Sequence, residues 1–147
     1  MMKTKAIQLV AALLIGTGTL FAQDIPQNQV PSVVVNNFKK EFPKAVDIEW
    51  EMKGEQYNVE FEIGWSKDFE AWFSADGTII RYTEEISQSE LPSDVKSAIT
   101  KNYPGYSIDD VEKLVSGKEV SYEVELEKGS EDVDVIFSEN GSVISFK

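Results

Sequence analysis

Val30-Pro31-Ser32 recurs as Leu91-Pro92-Ser93, 61 residues further on, and Phe42-Pro43 recurs as Tyr103-Pro104 at the same spacing. The run Phe73-Ser74-Ala75-Asp76-Gly77-Thr78-Ile79-Ile80 returns as Phe137-Ser138-Glu139-Asn140-Gly141-Ser142-Val143-Ile144, 64 residues on. A chain that carries one unit twice folds as two copies of that unit, each helping to cover its neighbour. The drift from 61 to 64 places small insertions in the loops of the second copy. The polar, acidic stretch from Thr83 to Glu90 reads as the joint between the copies.

Within each copy the hydrophobic period changes from about four to two. Val34, Phe38 and Phe42, and then Val95, Ile99 and Tyr103, recur at four-residue spacing and form the apolar stripe of a helix. Pro31 and Pro92 suit a first helical turn, where a missing N–H costs nothing, and Pro43 and Pro104 stop the helices. Beyond the first helix, Val46, Ile48, Trp50 and Met52 alternate with acids, and Tyr57, Val59, Phe61 and Ile63 alternate with Asn58, Glu60 and Glu62. That alternation marks strands with one face against a core.

Turn chemistry fixes an expected register. Two-residue loops at Asp76-Gly77 and Asn140-Gly141 set Phe73 opposite Ile80 and Phe137 opposite Ile144. A tight loop at Lys53-Gly54 sets Trp50 opposite Tyr57. In the second copy Ile108 and Val111 fall out of phase across Asp109-Asp110, which predicts a bulge. The fold implied is α+β: two tandem units, each a helix followed by a four-stranded antiparallel meander, making one sheet of roughly eight strands with helices on one face. The first unit spans residues 23–86 and the second 87–147.

The first 22 residues stand outside this pattern. Lys3 and Lys5 precede an apolar run from Ala6 to Leu20, and Leu20-Phe21-Ala22 offers a cleavage point. This is the layout of a secretory signal, so the mature protein is expected in the periplasm or outside the cell, without membrane insertion. With no cysteine anywhere, neither a disulfide framework nor a lipid-modified N-terminus is expected. Loss of Lys3 and Lys5 takes the formal charge from −12 to −14. So negative a surface repels phosphate backbones and anionic lipid heads, which argues against nucleic acid and membranes as partners.

Histidine is also absent. Without His or Cys, the usual nucleophile–base pairs and transition-metal sites cannot be assembled. Carboxylate catalysis of the glycosidase kind needs two acids across a cleft, and evenly spread acids on an open sheet offer none. Neither Asp132-Val133-Asp134 nor Asp109-Asp110 has the spacing of a calcium loop. No enzyme activity, cofactor or resident metal is therefore expected.

With its apolar-Pro-Ser helix start, Phe/Tyr-Pro stop and F-S-x-D/N-G hairpin, each given twice after an export signal, the chain resembles the PepSY-like, β-lactamase-inhibitor-like exported proteins of Bacteroides-type bacteria. The resemblance implies a non-catalytic module that inhibits or regulates a secreted enzyme. In the β-lactamase inhibitory protein, a fold relative, the open sheet face grips the target enzyme. The cysteines of that inhibitor are missing here, and no contact motif carries over.

If the apolar positions face the helices, the alternate positions form the other surface. In the first copy these include Glu49, Glu60, Glu62, Trp72, Ile79 and Arg81, with Trp72 opposite Arg81 as a cation–π pair. The second copy places Ile136 and Val143 at the positions of Trp72 and Ile79. Trp65, in the Gly64-Trp65-Ser66 loop, is a further recognition candidate. An aromatic and apolar spot in a field of carboxylates is the expected docking site for a protein partner, with Trp72 standing in water. The alternative use of such a surface is binding of a small ligand or cation.

Overall fold

A computed structural model describes residues 22–146; the signal sequence expected over residues 1–22 lies, except for Ala22, outside the described residues. The strands are β1 (Gln23–Asp24), β2 (Val46–Lys53), β3 (Gln56–Ile63), β4 (Lys67–Phe73), β5 (Ile79–Glu85), β6 (Ser107–Ser116), β7 (Glu119–Lys128), β8 (Glu131–Ser138) and β9 (Val143–Phe146). Helix α1 (Ser32–Glu41) precedes β2, and α2 (Ser93–Asn102) precedes β6. All nine strands form a single antiparallel meander in chain order. The α+β architecture and the tandem arrangement follow the sequence pattern, with one short strand more than the eight expected.

Both helices start directly after a proline and end before one, at Phe42 and Tyr103, whose N–H groups close the last turn on Phe38 and Ile99. Each helix covers its own core. Phe38 is fully buried and meets Trp50, Phe61 and Phe73 edge-on, with ring centroids 5.0–6.3 Å apart. In the second core Val95 and Ile99 pack on Val111, Val124, Leu126, Val135 and Phe137. Pairing of β5 with β6 puts Tyr82 beside Val115 and Thr83 beside Leu114. That register sends both cores to the same side of the sheet and leaves the other side without a helix among the described residues.

The joint is more ordered than its composition suggests. Thr83, Glu84 and Glu85 belong to β5 and pair with Leu114, Lys113 and Glu112, and Ile86 packs into the second core. The short strand β1 reproduces the end of β5. Gln23 and Asp24 pair with Met52 and Glu51 as Glu84 and Glu85 pair with Lys113 and Glu112. The next residue repeats the match, since Ile25 N–H donates to Trp50 O at 2.9 Å and Ile86 N–H to Val111 O at 3.0 Å.

Three registers differ from expectation, and each has a local cause. The β4–β5 connection is a turn from Ser74 to Gly77, with Gly77 N–H donating to Ser74 O and Gly77 at φ +89°. The Asp76 carboxylate accepts from Thr78 N–H and the Ser74 hydroxyl, which holds this longer turn. Ile79, not Ile80, therefore stands opposite Phe73, and at the matching turn Val143, not Ile144, stands opposite Phe137. The β2–β3 turn falls at Gly54-Glu55, so Trp50 faces Val59 rather than Tyr57. This two-residue slip preserves the face of every side chain. The bulge expected at Asp109-Asp110 is present, and the first copy has its counterpart between Val46 and Glu49, where Asp47 adopts φ +50°.

Candidate docking surface

The helix-free side is built from alternate residues of β2 to β8, and its two ends differ in charge. At the end near the β4–β5 turn, Lys53 bonds Glu70 at 2.9 Å and Glu51 at 3.2 Å. Arg81 lies with its guanidinium carbon 4.0 Å from the Trp72 ring centroid, and the Lys53 ammonium is 6.0 Å from the same ring. Trp72 and Arg81 pair across β4 and β5 as expected. Trp72, however, is only 8% exposed. It sits on the expected face, outside both helix-side cores, but two long cationic side chains roof it, so it does not stand in water.

Two more expectations require correction. Ile79 packs against the first core on the helix side, because the turn moved it opposite Phe73. Val143, opposite Phe137, moves to the helix side for the same reason. Ile136 keeps its expected face, half-buried between Glu123 and Ser145. Asn58, which sequence reasoning passed over, is fully buried between Glu51 and Trp72 on this face. Its amide donates to Ala71 O at 3.3 Å, while its Oδ1 accepts no hydrogen bond from the described residues.

The other end is acidic throughout. Glu49 faces Glu60, Glu60 faces Glu70, Glu62 faces Asp68, Glu85 faces Glu112 and Glu112 faces Glu123. Like charges directly opposite on paired strands destabilise a sheet. All of these but Glu123 border a hollow of about 420 Å³ over β2 to β6, and among the described residues no lysine or arginine contributes to its lining. Burial and then the neighbouring Glu70, Glu51 and Glu49 raise the Glu60 carboxyl above its ordinary range. Glu112 is raised by burial and by Glu123 and Asp110, and Glu85 by burial, Asp110 and its bond to Asp68.

Trp65 rises from the tip of the β3–β4 hairpin, whose Glu62 and Asp68 border this hollow. It is 99% exposed, between Gly64 at φ +71° and Ser66 at φ +56°. One left-handed position on either side of it turns the indole away from both cores. Farther along the sheet, carboxylate oxygens of Asp109, Glu125 and Glu127 lie within 4.8 Å of one another.

A family model described as beta-lactamase-inhibitor-like, PepSY-like matches residues 21–81 and again residues 55–145. The chain belongs to this PepSY-like family. The two matches overlap over residues 55–81, and the resemblance drawn from the helix and hairpin motifs is confirmed. Among solved structures, a BLIP-like protein from Bacteroides fragilis shares 29% identity, with 84% of this chain and 86% of that one aligned at a TM-score of 0.70. DUF2874 family proteins from Bacteroides uniformis and Bacteroides ovatus share 20% and 19% identity at TM-scores of 0.73 and 0.72. Each aligns over 80% of this chain, covering 88% and 86% of its own. These last two share the fold. No curated protein sequence matches the chain.

Proposed function

We propose that this PepSY-like protein is an exported, non-catalytic docking module that takes a basic protein surface onto its helix-free face, restraining or regulating an enzyme in the periplasm or beyond. The observation that carries this reading is the row of opposed carboxylates bordering the hollow at Glu49, Glu60 and Glu62, with Lys53 paired to Glu70 at its margin and no lysine or arginine among the described residues that line it. A sheet that sets like charges opposite one another gives up stability. A cationic partner relieves that repulsion on binding, so complementarity supplies both steering and specificity. Trp65, fully exposed on the hairpin that carries Glu62, supplies the aromatic anchor typical of interface hot spots. Arg81 and Trp72 form the rim of the surface instead of its centre. The β-lactamase-inhibitor-like description of the family supports an enzyme as the partner.

The test is affinity capture from the native cell envelope at low and high salt, with the wild-type protein, a Glu60→Gln/Glu62→Gln variant and Trp65→Ala. One protein should be retained by wild type, released by salt and lost from both variants. Equal capture by all three removes the surface from consideration.

The Asp109, Glu125 and Glu127 oxygens favour one second reading, a cation sensor. Calcium would then raise the melting temperature in proportion to its concentration, and Glu125→Gln would abolish the rise.

A further inference from the structure

The hollow on the helix-free face contains one neutral polar group among the described residues, the Thr83 hydroxyl. Eight of the eleven residues bordering it are acids, and the rings of Phe61 and Phe69 pack into the first core on the helix side. Thr83 is only 7% exposed. No described residue hydrogen-bonds its hydroxyl, and what remains accessible of the residue borders the hollow. Buried hydroxyls are ordinarily satisfied, so Thr83 holds an acceptor ready for a donor that enters from the hollow.

Register shows what surrounds that acceptor. Glu49, Glu60, Glu70 and Thr83 follow one another across β2, β3, β4 and β5, with neighbouring strands about 4.8 Å apart. Thr83 thus ends a row of three acids. The next residue of β5 on the same face is Glu85, opposite Glu112. These carboxylates are spread out and do not converge. Among the described residues, the trio of acids whose oxygens lie within 4.8 Å of one another is Asp109, Glu125 and Glu127, outside the hollow. A bare ion needs oxygens drawn tightly around one point. A guanidinium, a planar fork of five N–H donors, needs several acceptors set around its edges.

We propose, resting on the docking reading above, that the hollow receives one arginine side chain of the docked protein. Its guanidinium donates to Thr83 Oγ1 and to the carboxylates of Glu70 and Glu112. Glu70 holds Lys53 through Oε1 at 2.9 Å, which leaves Oε2 to face the incoming group. An ammonium is compact and strongly hydrated, so it loses more water on entry and reaches fewer of these acceptors.

Nuclear magnetic resonance titrations with N-acetyl-argininamide and N-acetyl-lysinamide, at low salt and neutral pH, test this. The arginine probe should move the Thr83 methyl signal of the wild-type protein and bind more tightly than the lysine probe. Thr83→Val keeps the shape of the side chain and removes the acceptor. Its affinity for the arginine probe should fall about tenfold, the order expected for one hydrogen bond to a charged group, whereas Thr83→Ser should bind as wild type does. An unmoved Thr83 signal, equal binding of the two probes, or wild-type affinity in Thr83→Val overturns the inference. Capture from the cell envelope separates it from the wider reading. Capture kept by Thr83→Val but lost from Glu60→Gln/Glu62→Gln overturns the arginine anchor and leaves the docking surface standing. Capture kept by both removes the surface altogether.

Discussion

The Arg81 guanidinium carbon stands 4.0 Å from the Trp72 ring centroid and, with the Lys53 ammonium 6.0 Å from the same ring, covers the indole on the helix-free face. A cation–π contact at such a site contributes about 0.5–1 kcal/mol. Arg81→Ala should lower unfolding stability by about that amount and, in a Trp65→Phe background, shift tryptophan emission to the red. Unchanged emission would mean that Lys53 alone roofs the ring.

Gly141 brings the β8–β9 turn under α2. A Cβ there would stand 2.5 Å from the Asp94 carbonyl oxygen, at φ +83°. Gly54 also needs a positive φ, +66°, but a Cβ on it would meet nothing within 4 Å. Gly54→Ala should therefore cost only backbone strain, about 1–2 kcal/mol. Gly141→Ala should cost clearly more, because helix and turn must separate. Urea unfolding of the two variants gives the comparison, and equal losses would contradict the close approach.

Crowded carboxyls predict an unusual pH profile. Glu60, Glu85, Glu112 and Glu125 all titrate above the ordinary value of 4.5, each raised first by burial and then by neighbouring acids. Each is harder to ionise folded than unfolded. Their contribution to stability is fully present below 4.5 and is lost as pH rises through the raised folded values. Glu90 works in the other direction, held at about 2 by the Ser87 N–H and then by Lys67. Its contribution is present above 4.5 and lost as pH falls toward 2. Thermal unfolding should accordingly be latest just above pH 4.5, on the acid side of neutrality, and a maximum at pH 7 or higher would refute this.

Trp65 touches neither core, so Trp65→Ala should leave stability within about 0.5 kcal/mol of wild type. It should also remove most of the emission that a cationic quencher such as caesium can reach. Trp50 and Trp72, both buried, account for the remainder.

Fold and face were legible in the sequence for the same reason: side chains in a strand alternate strictly, so an error of two residues in pairing, as at Trp50 and Val59, leaves every face correct. What escaped depended on single residues stepping out of the alternation. Ile79 and Val143 changed sides because an Asx-stabilised turn added one residue that no apolar pattern records. The first-copy bulge escaped because Val46, Ile48 and Trp50 alternate perfectly through it, and only the left-handed Asp47 reveals it. Trp72 was assigned to the right face but to the wrong solvent exposure. Periodicity gives the direction of a side chain, whereas its cover comes from how far Arg81 and Lys53 reach across neighbouring strands.

That β1 restates the end of β5 has a practical meaning for dissecting the molecule. Cutting at residue 87, where the helical half of the second unit opens, would strip away Ile86 and the rungs Thr83 to Glu85 that seat the outer flank of β6. A fragment begun at Tyr82 would carry its own starter rung, as the whole protein does with Gln23 and Asp24.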